Sequence, residues 1–160
     1  EDLHGILFWI MGSLDEPNQH LIMITVLASV VGLVVSYFFS VDLNAMALGE
    51  EEAVHLGVSV ERTKRALFLI ASILTGLSVA AGGVIGFVGL VVPHFMRLYL
   101  GADHRVLLIS SFLGGASFLI LCDTLARNII QPLELPVGVI TGIIGGTVFV
   151  YALIRRQVRL

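Results

Sequence analysis

The chain has 160 residues, 57% hydrophobic and only 13% charged, with a formal net charge of −3. Soluble domains carry about 25% charged residues, so this chain lacks the charge to solvate a surface of its size, and its class is integral membrane protein. No basic run exceeds Arg155-Arg156, so nothing suggests a nucleic-acid partner, and the single Cys122 excludes an internal disulfide and a cysteine-based metal cluster.

The chain starts at Glu1 with no positively charged leader region, so no signal peptide is visible, and the start reads as a cut inside a longer polypeptide. The stretch LHGILFWIMGSL within residues 1–19 is too short to span, and its Trp9 suits a helix lying at the membrane interface. Residues 21–39 carry no charge and predict a first span at about 21–40, since a bilayer core about 30 Å thick needs about 20 apolar residues in a helix.

Residues 42–65 read DLNAMALGEEEAVHLGVSVERTKR. Ala45, Leu48, Glu52, His55 and Leu56 fall on one face at spacings of three and four, and Gly57 is placed to end a helix. A second short turn is expected through Glu61. Residues 42–63 therefore predict a short helix, a glycine hinge and a second short helix between two spans. The loop is long and charged for an ordinary connection. It is either a solvated hairpin or a rigid plug that docks into a partner.

Residues 66–92 are uncharged, longer than one span requires, and the apolar run continues past Pro93 to Leu100. A division into a helix at 64–83 and a shorter one at 87–100 accounts for this, with a tight reversal at Gly82, Gly83 and Gly86. Together with Gly89 these glycines, at spacings of three and four, serve the reversal, close helix packing, or both. Pro93 frees one backbone carbonyl, which is tolerated where protein or water surrounds the break. Arg97, Asp103, His104 and Arg105 read as a polar cap at the membrane surface. Residues 106–127 and 137–154 complete a set of five spans with no internal repeat. Asp123 and Arg127 lie four apart on one face, which suits a self-satisfying pair. Glu134, Pro136 and Gly138 mark the turn into the last span.

Placing loop 41–65 in the cytoplasm puts eight of the nine Lys and Arg residues at cytoplasmic ends, leaving only Arg127 outside. Four undivided spans would scatter them, so the charge pattern supports the division. No G-x-x-x-x-G-K-[ST] stretch is present, so the chain binds no ATP through a P-loop. No chain of carboxylates or histidines crosses the midplane, which argues against proton coupling. Ser29, Ser36, Ser72 and Ser78 have no paired base at a plausible spacing, which argues against an intramembrane enzyme.

The block GFVGLVVPHFMRLYLGADHR resembles the signature of the FecCD/BtuC-type permeases, the membrane subunits of ABC importers for iron-siderophores, haem and vitamin B12. FWIMGSL, LNAMALGEEEAVHLGV, the ARN and ELPVGVITGIIGG stretches and the basic C-terminus follow in the family's order. The resemblance covers nearly the whole chain and is to the C-terminal half of a ten-span permease. It implies an all-α membrane fold. No cofactor is expected, and no metal either, because His94, Asp103 and His104 offer no ligand pair at i, i+4 spacing with a third partner nearby. The resemblance also implies an ATPase subunit, an external substrate-binding protein and a second permease copy as partners, in the inner membrane of a prokaryote. By the same resemblance 42–63 is the coupling segment, with Leu48, Gly49, Glu50, Ala53, Leu56 and Gly57 as contacts to the ATPase, and Arg127 is the docking point for the binding protein. Two other readings compete: a membrane module of the same fold that transports nothing, and a metal-handling enzyme built on His94 and His104.

Overall fold

The computed structural model describes residues 10–15, 18–129 and 135–157. Trp9, Glu134 and Arg159 lie outside the described residues. From residue 18 onward the described residues form seven helices in order: α1 (Gln19–Phe38), α2 (Ser40–Met46), α3 (Glu50–His55), α4 (Val60–Gly82), α5 (Val88–Leu100), α6 (His104–Asn128) and α7 (Val137–Gln157). The described residues contain no strand, and the chain is an all-α polytopic membrane protein.

α1, α4 and α6 are long and apolar enough to cross a membrane, and only 6%, 6% and 11% of their most apolar windows is buried. Val88–Leu100 and Val137–Tyr151 are shorter apolar helices. A water-soluble bundle would have turned these faces inward, so the exposed Leu, Ile, Val and Phe side chains need lipid or further helices as their solvent.

Lipid also offers no hydrogen bonds, so hydroxyls within the spans turn to their own helices, although the buried Ser111 Oγ of α6 has no partner among the described residues. Thr25 Oγ1 donates to the Leu21 carbonyl at 2.9 Å and Ser29 Oγ to the Thr25 carbonyl at 2.7 Å. Ser72, Ser117, Thr124 and Thr147 likewise donate to the carbonyl four residues back. Ser29 and Ser72 are thereby spent on the backbone of their own helices.

The reversal expected near residues 82–87 is present: α4 ends at Gly82, Gly83 caps it with φ +68, and α5 starts at Val88. Within the segment Phe87 has φ +67, a conformation that costs an L-residue about 1–2 kcal/mol. It is held there because its side chain lies against α7 at Gly145, where an added Cβ would overlap the Phe87 Cβ. The N-terminal segment joins here too, with Ser13 N–H donating to the Gly82 carbonyl at 3.0 Å.

The close-packing glycines differ from those expected. A Cβ at Gly86 or Gly89 would meet nothing within 4 Å, so among the described residues neither marks a close helix approach. Gly32 instead packs on Leu74, Gly114 on Val92 and Met96, and Gly138 against the backbone of Met11 and Val84. Pro93 lies inside α5, which continues through it to Leu100. A small buried core of Cys122, Ala126, Val137 and Ile140 joins α6 to α7. Pro136 is buried just before the first turn of α7.

Candidate functional site

The segment between α1 and α4 forms a built protrusion rather than a loose hairpin. α2 follows α1 after a break at Phe39, and its first residue, Ser40, is buried. The chain then breaks again at Gly49, whose φ of +134 and ψ of 149 are open to glycine and scarcely to any other residue. α3 starts there, with Glu50, Glu51 and Glu52 filling its first turn, where carboxylates complement the unpaired N–H groups and the helix dipole. It ends in a Schellman motif: Gly57 N–H donates to the Val54 carbonyl and Val58 N–H to the Ala53 carbonyl, both at 2.9 Å, with Gly57 at φ +87.

This geometry keeps Gly57 as the glycine that stops the helix and corrects two expectations. The hinge between the short helices is Gly49, so Ala45, on α2, does not share a helix face with Glu52 and His55, on α3. The turn expected through Glu61 is the first turn of α4, which starts at Val60.

Side chains fasten the protrusion to the bundle. Thr63 Oγ1 on α4 donates to Asp42 Oδ2 on α2 at 3.1 Å. Lys64 on α4 pairs with Glu50 on α3. Asn44 on α2 reaches the start of α6: its Nδ2 donates to Asp103 Oδ1 at 2.8 Å, and its Oδ1 accepts from the His104 backbone N–H at 2.9 Å and contacts His104 Nδ1 at 2.8 Å. The carbonyl oxygen of an amide has no proton to give, so His104 carries its proton on Nδ1. Asp103 is also the N-cap of α6, accepting from the Arg105 N–H at 2.9 Å. The Asn44 bond, then the Arg105 N–H, hold its carboxyl below the usual carboxylate range. The expected polar cap is thus present at Asp103 and His104, and Asn44 completes it.

The outer surface of the protrusion is apolar with an acidic margin. Leu48 is 72% exposed, Leu56 66% and Val54 60%, beside exposed Glu51 and Glu52. Of the expected contacts, Leu48 and Leu56 project outward, whereas Glu50 is shared with Lys64. Ala53 is a correction: it is 0% exposed, because α3 turns its one small side chain inward, so it meets no partner in this arrangement. Gly49 and Gly57 shape the backbone.

Elsewhere, Arg127 Nε donates to Asp123 Oδ2 at 2.9 Å in the last turn of α6. The His94 ring stands edge-on to Phe95, with centroids 6.3 Å apart at 78°. His104 is engaged by Asn44, and among the described residues no group of three or more His, Cys, Asp or Glu is placed to hold a metal ion.

A bundle of apolar, outward-facing helices with a fastened pair of short helices bearing exposed Leu48, Val54 and Leu56 defines a membrane protein with a small apolar surface beside its spans. Comparison with known proteins identifies which kind. The model of the FecCD transport family matches residues 1–155, and the chain belongs to that family. It is 41% identical over 157 residues to the hemin transport system permease protein HmuU of Yersinia pestis, covering 98% of this chain and 47% of that protein. It is 44% identical over 158 residues to the cobalamin import system permease protein BtuC of Halobacterium salinarum, covering 99% and 42% respectively. It is 45% identical over 157 residues to the Fe(3+) dicitrate transport system permease protein FecD of Escherichia coli, covering 98% and 49%. Its fold matches a solved inward-facing metal-chelate type ABC transporter with a TM-score of 0.88 at 32% identity, over 97% of this chain and 50% of the other. The chain therefore spans about half the length of these relatives, which are transport components rather than enzymes.

Proposed function

We infer that the chain is the C-terminal half of the permease subunit of an ABC importer, and that α2 and α3 are its coupling helices. The observation that carries this reading is the protrusion itself: two short helices, capped at both glycines and fastened to α4 and α6, exposing Leu48, Val54 and Leu56 to solvent. Apolar side chains held rigidly outside a bundle fit a groove on a partner, because a preorganised surface loses little entropy on docking. The partner is an ATPase subunit on the cytoplasmic side. Closure of two such ATPases around ATP would push on the plug, and the plug would pass the displacement to the spans.

The cargo class follows from the relatives' names: an iron chelate, haem or a corrinoid, delivered by an external binding protein. Arg127, in the last turn of α6 at the opposite end of that helix from Asn44's contacts, is the candidate docking point for that protein. A second permease copy would complete the path, in the inner membrane of a prokaryote.

The test is uptake by the full-length permease reconstituted in liposomes with its ATPase and binding protein, with hemin, ferric dicitrate and cobalamin offered separately. ATP-dependent accumulation of one of them is expected. A complex that assembles and hydrolyses ATP but accumulates none of the three would contradict the assigned cargo class.

A further inference from the structure

Among the described side-chain hydrogen bonds, those joining the most distant parts of the sequence all run through Asn44, spanning 59 and 60 residues. The next longest, between Thr63 and Asp42, spans 21. The difference matters mechanically. α4 follows α3 in the chain after four residues, so any displacement of the paired helices reaches α4 through the backbone. α6 begins some sixty residues beyond α2 and is reached only across space. At that point one amide side chain satisfies the N-cap carboxylate, the first helical N–H and the ring of the first helical residue. The first turn of a helix is where backbone N–H groups lack partners within the helix, so α2 is clamped onto the end of α6 that most needs external partners.

We propose that Asn44 is the positioning residue that transmits movement of the coupling helices into α6, the 25-residue helix that carries Arg127 in its last turn. The proposal rests on the reading of α2 and α3 as coupling helices. A displaced α2 either carries the start of α6 with it or gives up three hydrogen bonds together. A neutral amide suits this task. It donates to Asp103 through Nδ2 and accepts from His104 through Oδ1 at once, whereas a carboxylate only accepts and an ammonium only donates. Physical adjacency alone does not establish transmission, so the test measures coupling directly.

The experiment uses the full-length permease with its ATPase and binding protein in liposomes, reading uptake per ATP hydrolysed, and a detergent pull-down reading ATPase association. Asn44→Leu removes all three bonds. It is expected to leave the ATPase bound while lowering uptake per ATP about tenfold, whereas Thr63→Val, which cuts the tie to α4, changes it by less than about twofold.

Wild-type uptake per ATP in Asn44→Leu overturns the proposal. So does loss of ATPase binding in that variant, which would place Asn44 in the docking surface, and so does an equal loss of uptake per ATP in Thr63→Val. Leu48→Arg keeps the underlying reading separable: if it leaves ATPase binding intact, the docking surface is wrong whatever Asn44 does.

Discussion

Asn44 Oδ1 takes both the backbone N–H and the ring Nδ1–H of His104, so a helix of seven residues outside the bundle holds the first residue of its longest helix. The same amide donates to Asp103, and that bond is the first reason the Asp103 carboxyl stays ionised to lower pH than usual. A carboxyl whose folded-state pKa is depressed contributes stability that is present above its unfolded value and lost as pH falls through the folded one. Asp103→Asn retains an N-capping oxygen but has no charge to lose. The gap in thermal midpoint between wild-type permease and Asp103→Asn in detergent is therefore expected at neutral pH, narrowing as the pH falls below about 4. A gap independent of pH would show that the charge contributes nothing.

The glycines separate into those that pack and those that do not. Gly145→Ala drives a methyl into the Phe87 side chain, which already sits at positive φ and cannot easily move. Overpacking of this kind costs about 1–3 kcal/mol, several degrees in thermal midpoint. Gly89→Ala meets open space within this chain and gains helix propensity of up to about 1 kcal/mol. The comparison is made on the full-length permease. Equal losses at both sites would mean that α5 carries a close neighbour on its Gly89 face.

Gly57 is the glycine that stops α3, at φ +87 and with nothing near its missing Cβ. Gly57→Ala therefore tests backbone strain without a clash, at a cost of about 1–2 kcal/mol. The expected outcome is weaker ATPase binding with normal membrane insertion. Binding unchanged from wild type would show that the Schellman end of α3 is not needed to present Leu56.

Arg127 and Asp123 form a partly exposed i, i+4 pair, with side chains 40% and 23% exposed, so Arg127→Gln should change thermal stability by about 1 kcal/mol or less. Its expected effect is on affinity for the binding protein, larger at low salt than at high salt, since exposed charges are screened. Unaltered affinity at low ionic strength would remove Arg127 from that interface.

Much of this architecture is legible in residue patterns. The uncharged runs give α1, α4 and α6, the glycines at 82 and 83 give the reversal, and a glycine after an apolar-periodic stretch gives the end of α3. Features that depend on which surfaces meet are not local. Gly86 and Gly89 have the spacing of packing glycines, but a Cβ on either would meet nothing within 4 Å among the described residues, while Gly32, Gly114 and Gly145 carry no signal until their neighbours are known. Ala53 resembles a contact residue by position, yet the helix turns it inward. Asn44 is an amide inside a short helix, an unremarkable placement whose partners lie 59 and 60 residues away. Gly49 shows the same limit: its position allows a break, but only the backbone reveals that the break falls there rather than at Gly57 alone. It also makes Gly49→Arg a poor probe of docking, since positive φ and the folded-back Glu52 side chain would disturb α3 itself.

The central claim is that Leu48 and Leu56 are the apolar plug for an ATPase partner. The most direct measurement is a detergent pull-down of the ATPase subunit by the full-length permease, wild type against Leu48→Arg, both checked for membrane insertion. Leu48 is 72% exposed, so the substitution disturbs a partner without disturbing the fold. Wild type is expected to capture the ATPase and Leu48→Arg to lose it. Equal capture by both would contradict the account.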